Sequence, residues 1–175
     1  MARMETKRYN HGLVHYEGFV FVLGGLDEFG VPTDGFECFS FAYNEWKKLA
    51  ELPKPMERPV AAALGEVVYF TDFSTRSIFT YSMVHNKMGR LPFISLEERT
   101  GKALIIKRSG TILVLSERKL IKIKGGKIKK SKKAYGTLNR NLNTPCTLVH
   151  DMVVFVSDCV PYSFSLKTGV YKRLD

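Results

Sequence analysis

The chain has 175 residues, 45 % of them apolar, with 27 basic against 17 acidic side chains and a formal net charge of +10. That length suits one domain or a small repeat array, no apolar run approaches the roughly 20 residues of a membrane-crossing helix, and the charged opening MARMETKRYN has no apolar signal region after it. Cys38, Cys146 and Cys159 are an odd set without CxxC spacing and no Asn-x-Ser/Thr acceptor occurs, so free thiols in a cytoplasmic setting, or at least an intracellular one with the nucleus included, are expected.

Short apolar and β-branched runs dominate, and no segment sustains a helical period. FVFVLG, EVVYFT, GTILVLS and DMVVFVS begin near Phe19, Glu66, Gly110 and Asp151, at a spacing of roughly 40 to 47 residues that is typical of propeller blades. The first unit, residues 8–53, reads as four strands near HGLVHY, FVFVLG, FECFSFA and EWKKLA, with the loop LDEFGVPTD carrying Asp27, Glu28 and Phe29. Units two to four cover residues 58–92, 99–133 and 140–175; DFSTR supplies Phe73 and Arg76, and SLEERT supplies Arg99.

A second repeating feature follows each run: large apolar residues seven positions apart, Phe39 with Trp46, Tyr81 with Met88, Ile121 with Ile128 and Phe164 with Tyr171. The second members step by 42, 40 and 43 residues, and two places before each stands Asn44, Asn86, Gly126 or Gly169. Such residues tolerate the positive φ of a tight hairpin turn. The pattern predicts an all-β, propeller-like array of four four-stranded antiparallel blades, stacked face to face. Either a closed small propeller or an open arc satisfies it.

The first unit resembles a kelch repeat: VLGG closes strand two, Phe39 stands in the family's Tyr position and Trp46 in its Trp position, and Arg8 and His11 precede strand one. Unit two keeps Arg58, Tyr81 and Asn86, but has Thr71-Asp72 for the glycines and Met88 for the Trp. Units three and four keep spacing and apolar character. The resemblance implies a protein-recognition platform whose function lies in its loops, that Gly24 and Gly25 sit against neighbouring backbone, and that Trp46 anchors the packing between blades. It also implies that any BTB-like or F-box-like activity comes from another chain, since the repeats start within about ten residues of Met1.

Enzyme chemistry finds little support. GxxxxGK[ST] and GxGxxG are both absent, so the glycine pair is read as architecture and not as a phosphate loop. His11 and His15 would lie some 13 Å apart on a strand at about 3.3 Å per residue, too far to share a metal. Cys38 and Cys159 read as packed side chains, and no copper-binding Tyr and His set of the galactose-oxidase kind assembles. No catalytic residue, metal or cofactor is assigned; a propeller enzyme is the lesser alternative, for which Asp27 and Glu28 would be a candidate pair of acids.

Charge is concentrated in RKLIKIKGGKIKKSKK, residues 118–133, which holds nine Lys and Arg and no acid, leaving the rest of the chain near +1. Lysines on an edge strand block pairing with another sheet; the functional alternative is a polyanion contact, nucleic acid or anionic lipid, through Lys122, Lys124, Lys127 and Lys129. No aromatic residue interrupts the run, so base reading is not expected. In a meander the two-to-three loops and the links between units emerge at one end, which gathers Asp27, Glu28, Phe29, Phe73, Arg76 and Arg99. Aromatics beside charges are the usual makings of a protein-binding patch, and the expected partner is a protein. Self-association is a further expectation if the array does not close.

Overall fold

The computed structural model describes residues 2–72, 74–91, 102–107, 109–116, 119–125, 127–134, 146–157 and 160–174. Every regular element among them is a strand, and the strands form four antiparallel sheets. Blade one holds β1 (Gly12–Tyr16), β2 (Phe19–Leu23), β3 (Phe36–Ser40) and β4 (Glu45–Lys48); blade two holds β5 (Val60–Leu64), β6 (Val67–Thr71), β7 (Phe79–Ser82) and β8 (Lys87–Arg90). Blade three holds β9 (Lys102–Lys107), β10 (Thr111–Ser116), β11 (Lys119–Lys124) and β12 (Lys127–Lys133); blade four holds β13 (Cys146–Val149), β14 (Met152–Ser157), β15 (Val160–Ser165) and β16 (Tyr171–Arg173). Strand order within each sheet is sequential, as a meander requires.

Alternation along the strands gives every sheet two apolar faces, and three apolar layers fill the spaces between successive sheets. Val14, Phe21, Leu23 and Phe36 meet Val68, Phe70 and Tyr81 between blades one and two. Ile78, with the partly buried Val60 and Tyr69, meets Leu104, Ile112, Val114 and Ile123 between blades two and three. Leu113, Leu115 and Leu120 meet Val153, Phe155, Phe164 and Tyr171 between blades three and four. The first strands β1, β5, β9 and β13 stand side by side at the centre, and no comparable contact returns from β13 to β1 among the described residues. The four sheets follow one another as propeller blades do.

The spaced apolar pairs are cross-strand partners in three blades: Phe39 faces Trp46, Tyr81 faces Met88 and Phe164 faces Tyr171. Asn44, Asn86 and Gly169 take positive φ values of 52°, 49° and 80° in the intervening turns. Blade three departs from the expectation. There Ile121 lies opposite Ser131 and Ile123 opposite Ile128, with a register shift between Lys122 and Ile123. Lys124 pairs directly with Lys127, so two residues separate these strands where four do in blades one and two, and a bulge then shifts the register by one residue more; Gly126 lies outside the described residues. In blade two, β6 ends at Thr71, so the positions matching Gly24-Gly25 are Asp72 and Phe73, one residue beyond those expected.

Trp46 also differs. In blades two and four the pair faces the preceding blade, whereas in blade one it faces the segment that leads into β1. Phe39 and Trp46, 5.2 Å apart between ring centroids, lie on its outward face. Residues 2–8 cover that face: the Trp46 indole Nε1 donates to the Ala2 carbonyl at 3.1 Å, and Asn44 Oδ1 accepts from the Ala2 amide at 3.3 Å. Trp46 is half-buried under this strap and not sandwiched between sheets.

Candidate functional site

The loop end of blades one and two is built on the glycine pair. Gly24 and Gly25 have φ of 57° and 101°, and their amides donate to the carbonyls of Gly35 at 2.9 Å and Met56 at 2.8 Å. Both donors are thus engaged within the fold, which leaves no amide cradle for a phosphate. The turn carries the chain into residues 26–35 and brings the link between blades alongside, through a bridge from Thr33 to Met56. Lys54 then reaches the second loop, donating to Ser74 Oγ at 2.8 Å with Asp72 Oδ1 at 4.0 Å.

On this frame Asp27 is a loop organiser. Its Oδ1 accepts from the amides of Phe29 at 2.9 Å and Val31 at 2.8 Å, an Asx arrangement that props up the loop tip. Phe29 is consequently 82 % exposed, with Val31 and Tyr9 also exposed. Tyr9 belongs to the same patch, since it bridges to Leu26 and its hydroxyl lies beside Gly30. Glu28 and Arg76 are exposed on the first and second loops. Phe73 and Arg99 lie outside the described residues. The sequence reading missed Tyr9 and Val31, because neither belongs to a motif and only the fold brings Tyr9 to the loop.

Beneath the strap, Arg8 and Glu37 form a buried ion pair, their side chains 0 % and 4 % exposed. Burial lowers the guanidinium pKa and Glu37 works against that shift. The Glu5 amide donates to the same carboxylate at 3.3 Å. Burial also pushes the Cys38 and Cys146 thiols up to about 11, Lys47 acting in the opposite direction on Cys38, so both are protonated near neutrality and poorly suited to nucleophilic attack. Cys159 lies outside the described residues, among which no group of three or more His, Cys, Asp or Glu could hold a metal.

The basic hairpin is the outer edge of blade three. Lys124, Lys127 and Lys129 are exposed and Lys122 is partly buried. Its register sets Lys119 opposite Lys133, Lys122 opposite Lys130 and Lys124 opposite Lys127. Like charges directly opposite one another destabilise a sheet.

A family model described as the Kelch motif matches residues 7–53. The first unit is a kelch repeat. That repeat contains Arg8, Gly24, Gly25, Glu37, Phe39 and Trp46, the residues that fix its turn, its buried ion pair and its outward face. Kelch-like protein 7 of Rattus norvegicus and of Mus musculus are each 33 % identical to the chain over 69 residues, 39 % of this chain and 12 % of either relative. The match therefore spans about an eighth of those proteins. Beyond the kelch repeat the likeness is one of fold: a solved structure titled "Structure of YjhT" superposes with a TM-score of 0.73 at 10 % identity, covering 100 % of this chain and 67 % of that one.

Proposed function

We propose that the chain is a non-enzymatic, intracellular protein-interaction scaffold that holds a protein partner on the loop end of blades one and two. The observation that carries this reading is Phe29, 82 % exposed on a loop braced by Asp27. A large aromatic held out on a pre-formed loop, with Tyr9 and Val31 beside it and Glu28 and Arg76 around it, suits an interface anchor inside a polar rim. Phe73 and Arg99 join this surface in the proposal through their positions in the chain. Phe29→Ala should leave the melting transition unchanged, within about 0.5 kcal/mol, because the ring packs against little. Recovery of partner proteins from the source cell should fall at least tenfold, as for loss of an anchor contributing about 2 kcal/mol. Identical partner sets for wild type and variant would refute the assignment.

A second reading concerns the hairpin, and the opposed lysines favour it. A polyanion lying along β11 and β12 would relieve their repulsion by counter-charge, without reading sequence. Lys124→Glu places an opposite charge across from Lys127 and should raise stability by about 0.2–1 kcal/mol. The same change should weaken low-salt binding to unrelated DNA or acidic vesicles, which added salt should abolish for wild type. Sequence-selective binding that survives salt, or no binding at low salt, would remove this reading.

A further inference from the structure

A cavity of about 520 Å³ opens between blades one and two at the end opposite the loops, where the hairpin turns emerge. Its floor is apolar. Phe21 and Tyr81 sit 6.3 Å apart between ring centroids, and the Tyr81 hydroxyl donates to Asn86 Oδ1 at 2.9 Å. Its mouth is lined by large side chains left open: Phe19 is 40 % exposed, Val84 59 % and Tyr43 75 %. Phe19 continues the aromatic wall, 6.4 Å from Phe21. Exposed aromatics gathered around a concave site mark a place where something else packs.

The charge of the lining narrows what that is. In a chain with ten more bases than acids, three of the four charged residues here are Glu17, Glu45 and Glu66, and the fourth is Lys47. None of the three carboxylates joins an ion pair among the described residues. Glu17 lines the cavity beside Tyr16, whose hydroxyl it pushes toward a higher pKa. Phe and Tyr faces attract cations, and carboxylates at the rim add charge-assisted hydrogen bonds. We infer that this cleft binds an organic cation with an apolar stem, the chemistry of an arginine or lysine side chain in a peptide or of a free alkylguanidinium. The stem lies on Phe21 and Tyr81 and the charged head meets Glu17 and Glu66 at the rim. The site is at the opposite end of the blades from Phe29 and does not depend on the loop-end reading.

The test is calorimetric titration with three probes: acetyl-Leu-Arg-Leu-amide, acetyl-Leu-Gln-Leu-amide and n-butylguanidinium. The arginine peptide should bind at least tenfold more tightly than the glutamine peptide. The double variant Glu17→Gln, Glu66→Gln should lose that preference, and Tyr43→Ala should weaken binding of the cation; all these positions are exposed, so an unchanged melting transition will show that the fold is kept. Phe29→Ala should have no effect, which separates this site from the loop face. Butylguanidinium binding as tightly as the peptide would support the site with a free cation as its ligand; much weaker binding would support a peptide. Equal affinity for the two peptides, retention of the preference in the double variant, or no binding of either cation would overturn the inference.

Discussion

Arg8→Met is expected to destabilise the fold by about 3–5 kcal/mol, the usual cost of leaving one partner of a buried ion pair without the other. The guanidinium and the Glu37 carboxylate are 0 % and 4 % exposed, so water does not replace the lost partner while the strap stays in place. The carboxylate would keep only the 3.3 Å hydrogen bond from the Glu5 amide. The chain can limit the cost by releasing residues 2–8, but that uncovers Phe39 and breaks the contact of the Trp46 indole with the Ala2 carbonyl. Release would therefore appear as a red shift of the fluorescence of Trp46, the single tryptophan. The double variant Arg8→Met, Glu37→Leu removes both charges and should recover most of the loss. Urea unfolding of wild type, single and double variants measures the cycle. A single variant as stable as wild type, or a double variant no better than the single, would contradict the role given to the pair.

Gly24→Ala and Gly25→Ala are expected to be next in size, each losing about 2–5 kcal/mol. Two effects add. The left-handed backbone costs an L-residue about 1–2 kcal/mol, and overpacking costs about 1–3 kcal/mol more. The contacts are severe because the obstacles are backbone: a Cβ on Gly24 would stand 2.7 Å from the Met56 carbonyl oxygen, and one on Gly25 2.7 Å from that of Tyr9. Gly18 is the internal control, with a similar φ of 78° and nothing within 4 Å of its would-be Cβ. Gly18→Ala should show the conformational part alone. If all three alanine variants lost the same stability, close backbone approach would not explain the glycine pair.

The array was legible because its signals were periodic. Four apolar runs and three steps of 42, 40 and 43 residues reflect a unit whose strands and turns have nearly fixed lengths, and the positive φ of Asn44, Asn86 and Gly169 follows from residue types that accept it. Blade three is the exception, because there the turn length differs. In blade three Ile121 and Ile128 keep the spacing but not the register, since only two residues separate Lys124 from Lys127 and a bulge displaces the pairing by one residue more. Trp46 is expected in a packed space between blades because its motif position is defined by neighbouring sheets, but in blade one the neighbour is the segment around Ala2 and not a sheet. Arg8 is a motif residue, but its link to Glu37, 29 positions away, carries no local signal. The inter-blade cleft carries no local signal for the same reason: Glu17 and Glu45 of blade one line it with Glu66 of blade two only when the two blades stack.

The proposal of a protein partner on the loop end is tested most directly by placing a photo-crosslinking amino acid at position 29 and, in a second protein, at position 170. Val170 is also an exposed apolar residue, 45 % accessible, but lies beside the β15–β16 turn at the opposite end. The crosslinker at 29 should trap a discrete protein adduct in the source cell that is absent with the crosslinker at 170 and is competed away by excess unlabelled wild-type protein but not by Phe29→Ala. Adducts that are the same from both positions, or that the Phe29→Ala protein competes as well as wild type does, would contradict it.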